Sequence, residues 1–280
     1  MENENAANQL KLIVLRDLVA EKNSRLAARL PGFVFGLLNK LLHIREINEI
    51  ITRYGHLKNI PFIDSVLQYF EVKVVVHGEK NLPASGHFIF ASNHPLGGFD
   101  GLMLVKVVTD HVGKSLFLVR DELTKIPPLA DLFIPINKFG DQRQSASLIN
   151  EAYESESQIL IFPAGLASRK IKGKIVDLTW QKHFIQKSVE YHRDVIPVYI
   201  SGKNSRFFYW LANFRKWTGI SINLEMFLLP DELFKNRGKT FAISFGKPIP
   251  WSHFDRTKSL ATWAGIVKDI VYDLPDQSNK

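Results

Sequence analysis

From Glu71 onward the chain alternates short apolar runs with helix-length segments, and this rhythm constrains its fold more than any other feature. Val72, Val74 and Val76 alternate with Glu71, Lys73 and Val75, the period of a strand. Phe88-Ile89-Phe90-Ala91 follows behind the turn-prone Pro83–Gly86 segment. Further runs occupy Ser115–Val119, Leu132–Ile136, Gln158–Phe162, Val195–Ile200 and Phe241–Phe245. Runs of this length spaced by helical segments predict an α/β fold, with a mixed, mostly parallel sheet flanked by helices. Upstream, residues 9–70 read as helical, with Leu10, Ile13, Val14 and Leu18 recurring at helical spacing and no β-branched alternation competing. The expected plan is a helical N-terminal segment, 1–70, and an α/β domain, 71–280. No repeat or low-complexity linker interrupts it.

Composition removes several chemistries. The 280 residues contain no Cys, which excludes a disulfide scaffold, a Cys-ligated metal site and a cysteine nucleophile. Lys and Arg total 36 against 28 Asp and Glu, a net charge of +8 that favours an anionic partner such as nucleic acid, lipid, a phosphate-bearing cofactor or an acidic protein. The polar, acidic start, Met1 to Asn8, lacks the pattern of a secretory signal. No run of about 18 apolar residues predicts a transmembrane helix. The apolar stretch Leu30–Ile44, which Pro31, Asn39, Lys40 and His43 interrupt, suits either a buried helix or one lying in a bilayer interface.

The densest cluster of chemistry-bearing residues is Asn93-His94-Pro95-Leu96-Gly97-Gly98-Phe99-Asp100-Gly101, which follows a buried strand and precedes the apolar segment Leu102–Val108. Loops at strand ends are where α/β folds place reacting groups. His94 and Asp100 suit a general-base pair, in which the carboxylate holds one ring nitrogen and leaves the other to take a proton. Gly97 and Gly98 permit the tight loop this needs and offer N–H groups to an anion. The competing reading is a turn and helix N-cap with a solvent-facing histidine. Ser92 lacks the Gly-x-Ser-x-Gly elbow of a serine nucleophile, and no tight metal-ligand spacing appears, so no metal is expected.

Downstream segments favour the chemical reading. Asn93-His94 with Asp100 resembles the His–Asp motif of the glycerolipid acyltransferase superfamily, the lysophosphatidic acid acyltransferase type. Leu118 to Leu123, with Pro127-Pro128 and Ile134 to Lys138, is similar to its second block. Ile161-Phe162-Pro163-Ala164-Gly165-Leu166-Ala167-Ser168-Arg169 is similar to its third, and Val195 to Gly202 to its fourth. The resemblance spans roughly residues 70 to 250. Two departures stand out. Five residues separate His94 from Asp100 where the family has four, and Ala164, Leu166 and Ala167 replace the polar residues of the third block. The Phe-Pro-Ala-Gly variant, Asp177-Leu178-Thr179-Trp180 and Ser201 to Tyr209 resemble the bacterial branch of hemolysin-annotated proteins and ornithine- and glycine-lipid O-acyltransferases.

The resemblance implies direct acyl transfer from a thioester, on acyl carrier protein or coenzyme A, to the hydroxyl of a lyso-lipid acceptor, lysophosphatidate-like or an N-acyl amino acid lipid. No bound cofactor is implied beyond that cosubstrate. His94 is the implied base and Asp100 its partner. Asn93, Gly97, Gly98, Arg120, Phe162, Pro163, Gly165 and Arg169 are the implied substrate-binding residues, with Lys138 and Lys170 as weaker basic candidates. Work at the cytoplasmic face of the inner membrane, as a peripheral protein meeting an anionic surface and acyl carrier protein, follows from the same likeness. The altered third block leaves a non-catalytic lipid-binding relative as the alternative.

One segment bears on the membrane directly. Residues 206–217 combine six aromatics with three cations, and a helix would align Phe207, Trp210, Phe214 and Trp217 on one face. With Arg215 and Lys216 beside them, such rings suit the headgroup level of a bilayer. A buried aromatic helix with snorkelling ends is the alternative. Single-stranded nucleic acid is a third, and no nucleic-acid-binding signature accompanies it. Between Leu160 and Trp217 lie eleven Lys and Arg but three Asp and Glu, so the whole excess of +8 belongs to this region. Lipid and thioester carrier therefore lead among the anionic partners, and no nucleic-acid partner is expected.

Overall fold

The computed structural model of the chain describes residues 12–22, 24–120, 123, 126–136, 142–220 and 223–277. Seven strands form one sheet: β1 (Lys73–His77), β2 (Phe88–Ser92), β3 (Ser115–Arg120), β4 (Phe133–Ile136), β5 (Gln158–Ile161), β8 (Asp194–Ile200) and β9 (Thr240–Phe245). The order across the sheet is β1-β9-β8-β2-β5-β3-β4, and every pairing is parallel except β8 with β9. All seven apolar runs are strands, to within a residue or two.

Both faces of the sheet are covered, which is why its central strands are apolar throughout rather than alternating. In β2 the period of two still shows in which core each residue enters. Phe88 and Phe90 pack with α5 (Asn59–Tyr69) and α6 (Phe99–Val112), while Ile89 and Ala91 pack with α7 (Gln142–Glu154), α8 (His183–Tyr191) and α11 (Leu260–Gln277). The result is three layers, helix on sheet on helix. Arg193, at the start of β8, is buried and donates to the carbonyls of Tyr153, Ser155 and Ser157, closing the turn ahead of β5.

The N-terminal stretch is helical but broken into short pieces: α1 (Leu15–Lys22), α2 (Ser24–Arg29), α3 (Gly32–Leu41), α4 (Ile44–Tyr54) and α5. Pro31 and the left-handed His43 (φ 52°) bound α3. This helix buries Phe35 yet leaves Phe33 77% and Leu37 67% exposed, so the apolar run makes a surface helix rather than a core one. No helix among the described residues is long and apolar enough to cross a membrane.

One unit went unread in the sequence. β6 (Arg169–Ile171) and β7 (Lys174–Val176) form an antiparallel hairpin, closed by Lys172 (φ 47°) and Gly173 (φ 84°). Two positive φ angles in a two-residue loop match the twist of the flanking strands. With α9 (Arg206–Thr218), a 3-10 segment (Leu224–Leu228) and α10 (Leu229–Lys235), the hairpin builds a third small core around Ala167, Phe208, Tyr209 and Leu228.

Phe90 is fully buried at the middle of the sheet. Phe90→Ala is expected to cost about 3–5 kcal/mol in urea unfolding, because the rigid strands around it cannot collapse into the cavity.

Candidate active site

The strands β2, β5, β3 and β8 run parallel, so their carboxyl ends open at one edge of the sheet, where α/β folds gather reactive loops. His94 leaves the end of β2, and Asp100 lies in the first turn of α6. His94 Nδ1 stands 2.7 Å from Asp100 Oδ2, a close contact whose alignment falls short of a straight hydrogen bond. The same Oδ2 accepts from the N–H groups of Leu96 and Gly97, each at 2.9 Å. The fifth intervening residue is therefore absorbed by folding the loop around the carboxylate. Gly97 makes this possible with φ of +79°, in a gap where a Cβ would meet Leu229 at 2.7 Å and Ala167 at 3.1 Å.

The imidazole is held from the side as well. Phe162, one residue beyond β5, stacks on it with ring centroids 3.9 Å apart and planes within 18°. Asp100 is fully buried, whereas the His94 side chain keeps 16% exposure with Nδ1 out of solvent. Nε2 has no hydrogen-bond partner among the described residues, which leaves it available to take a proton.

Other expected binding residues are engaged differently. Asn93 is buried and pairs with both backbone groups of Ile200, donating to its carbonyl at 2.9 Å and accepting from its N–H at 2.6 Å. It closes the gap between the ends of β2 and β8 rather than facing a substrate. The N–H groups of Gly97 and Gly165 are committed to Asp100 and to the Phe162 carbonyl. Gly98, the N-cap of α6, has no such bond among the described residues, so its N–H is free to meet an anion. Pro163 is buried, with its carbonyl accepting from the Gln181 N–H.

Arg169, expected at a substrate anion, corrects that expectation. Its guanidinium is buried, donating to Glu225 Oε1 at 2.7 Å and to the Ala167 carbonyl. Arg215 donates to Glu225 Oε2 at 2.9 Å, so both cations serve one buried carboxylate. Burial pushes the Arg169 guanidinium below its usual range, with Glu225 opposing the shift. Lys170 is exposed on the hairpin. Lys138 and the side chain of Arg120 lie outside the described residues.

Sequence reasoning passed over Asp177. This 1% exposed carboxylate accepts from the His94 N–H (3.2 Å) and the Ser168 hydroxyl (2.6 Å) on Oδ1, and from the Trp180 indole (2.9 Å) on Oδ2. Ser168 N–H in turn donates to the His94 carbonyl at 2.7 Å. A closed ring of bonds thus joins the histidine loop to the third-block loop. Tyr272 and Lys268 of α11 clamp the Asp177 backbone from behind. The signal was present in the Asp-Leu-Thr-Trp string, where an indole donor three residues from an Asp suits a buried carboxylate. Asn204, beyond β8, also went unread: both its side-chain amide atoms are buried without partners among the described residues. Near it, burial pushes the Tyr209 hydroxyl up to about 12.

A histidine held against a buried carboxylate at the carboxyl end of parallel strands, in a chain without a thiol, is an arrangement that can carry general-base chemistry. The chain belongs to the acyltransferase family, whose family model matches residues 17–279. Among curated proteins it is similar to the lyso-glycine lipid O-acyltransferase of Bacteroides thetaiotaomicron, 44% identical over 269 residues, which span 95% of this chain and 99% of that one. The lyso-glycine lipid O-acyltransferase of Phocaeicola vulgatus is 42% identical over 265 residues, 94% of this chain and 95% of its own. Among solved structures, the 1-acyl-sn-glycerophosphate acyltransferase PlsC of Thermotoga maritima overlaps 85% of this chain and 95% of its own at 21% identity, with a TM-score of 0.44. The chain is an O-acyltransferase, as its curated relatives are.

Two substitutions test this geometry. Gly97→Ala is expected to lower stability by roughly 1–3 kcal/mol, because the added methyl meets Leu229 and the backbone is left-handed there. Asp177→Asn is expected to lower kcat about 10²-fold with KM little changed, since it loosens the loop that positions His94. An unchanged kcat alongside reduced stability would make Asp177 a fold residue alone.

Proposed function

We propose that the protein acylates the hydroxyl of a lyso-glycine lipid or a closely related N-acyl amino acid lipid, using an acyl thioester on acyl carrier protein or coenzyme A. The reaction belongs to membrane lipid biosynthesis and is placed at the cytoplasmic face of the inner membrane. The observation that carries the reading is the buried Asp100 carboxylate 2.7 Å from His94 Nδ1, with Phe162 stacked on the ring.

In this mechanism His94 Nε2 accepts the acceptor's hydroxyl proton as its oxygen attacks the thioester carbonyl. Asp100 keeps the proton on Nδ1 and stabilises the imidazolium that forms. The negative charge that gathers on the carbonyl oxygen meets the Gly98 N–H and the positive end of the α6 dipole. Collapse breaks the carbon–sulfur bond, and the departing thiolate takes the proton from Nε2. The products are an ester and a free thiol, with no covalent enzyme intermediate. The acceptor's identity rests on the 44% identical relative, which shares nearly the whole length of this chain.

Purified protein supplied with acyl carrier protein thioester or acyl coenzyme A should consume lyso-glycine lipid and release free thiol. His94→Ala is expected to lower turnover by about 10²–10⁴-fold in a protein that still folds. Turnover that survives this substitution rejects the base assignment. Acylation of lysophosphatidate in preference to lyso-glycine lipid rejects the acceptor.

A further inference from the structure

Helix α9 carries a face that neither the fold nor the reaction uses. Its inner side is spent on the small third core, where Phe208, Tyr209 and Ala212 are buried. Its outer side presents Phe207, Trp210, Phe214 and Trp217, which are 52%, 56%, 40% and 82% exposed. These rings form a ladder. Successive centroids are 5.8, 5.3 and 6.0 Å apart, and the first two pairs are nearly parallel. Phe227, on the 3-10 segment packed beside α9, is 58% exposed.

Exposed cations lie on α9 itself and on the hairpin packed against it. The hairpin that shares the third core with α9 exposes Lys170, Ile171, Lys172 and Lys174, while α9 exposes Arg206 and Lys216. Neither residues 169–176 nor 206–218 contain an Asp or Glu. Arg215, expected among the membrane-facing residues, is not part of this set. Its guanidinium turns inward to Glu225 and the Ile220 carbonyl, and with Arg169 it braces α9 against the hairpin.

We infer that this face seats α9 and the hairpin tip at the headgroup level of an anionic bilayer. Flat amphipathic rings suit that depth, and lysines flanking them meet lipid phosphates. An acidic carrier protein would engage the lysines but leave a ridge of four rings in water, so lipid matches the whole surface. The inference rests on the lipid acceptor proposed above and adds where the protein meets it. Ser168, which binds the His94 loop, immediately precedes the hairpin, so docking brings the base beside the surface that supplies the acceptor.

Flotation with phosphatidylcholine vesicles, with and without phosphatidylglycerol, tests the inference on the full chain in the absence of donor and acceptor. The protein should float with the anionic vesicles. Trp210→Ala/Trp217→Ala should lower partition about tenfold or more, because two exposed rings no longer leave water. Lys170→Glu/Lys172→Glu/Lys174→Glu should lower it at least about fivefold per lysine, on anionic vesicles only. Both variants should unfold at the wild-type temperature, as the altered side chains are exposed. Wild-type partition by both variants overturns the inference. So does loss of carrier-protein affinity alone, or a change of oligomeric state alone. Vesicle binding without acyl transfer would keep this surface and remove the proposed reaction, whereas transfer without vesicle binding would do the reverse.

Discussion

The site depends on a carboxylate held out of water. Asp100 is fully buried, and removing a charge from water is costly unless hydrogen bonds replace the lost hydration. Two N–H groups of its own loop donate to Oδ2, the first-turn dipole of α6 favours the charge, and His94 Nδ1 stands against the same oxygen. The loop must wrap tightly to bring those groups to one oxygen, which is why a glycine stands where φ is +79° and no Cβ fits. The position of His94, the start of α6 and the five-residue spacing all follow from that one buried charge.

Two further buried carboxylates repeat the device at longer range. Asp177 gathers donors from the histidine loop, the third-block loop and Trp180. Glu225 gathers Arg169 from the hairpin and Arg215 from α9. Ser168 and Arg169 are neighbours in the chain, so one short segment is tied to the reacting loop by the first carboxylate and to the aromatic helix by the second. Removing any single partner would leave a buried charge uncompensated, so these links hold as units. The replacement of the third block's polar residues fits this arrangement: Ala167 is in the core, and the arginine that follows supports the fold.

Much of the sheet was legible because its central strands, covered on both faces, are apolar throughout, and its edge strand β1 keeps the period of two. The hairpin was not legible, because three-residue strands rich in lysine carry no apolar run, and only Lys172-Gly173 marked the turn. The histidine and aspartate were legible from their residue types and the strand before them. The uses of Asn93, Arg169 and Arg215 were not. An amide or guanidinium reads alike in sequence whether it meets a substrate or a buried backbone group, and its partners lay 107, 56 and 10 residues away.

The sequence by itself determined the layering of the fold, the pairing of His94 with Asp100 in one loop, and the aromatic side of α9. These are properties of local spacing, in which strand and helix periods and a short loop leave few alternatives. Only the tertiary structure decided which polar groups are consumed inside and which are left over. It withdrew Asn93, Arg169 and Arg215 from the surface, recruited Asp177 to hold the His94 loop, and left the rings and lysines facing outward. Burial and long-range hydrogen bonding make that division, and neither is defined until distant segments are packed together.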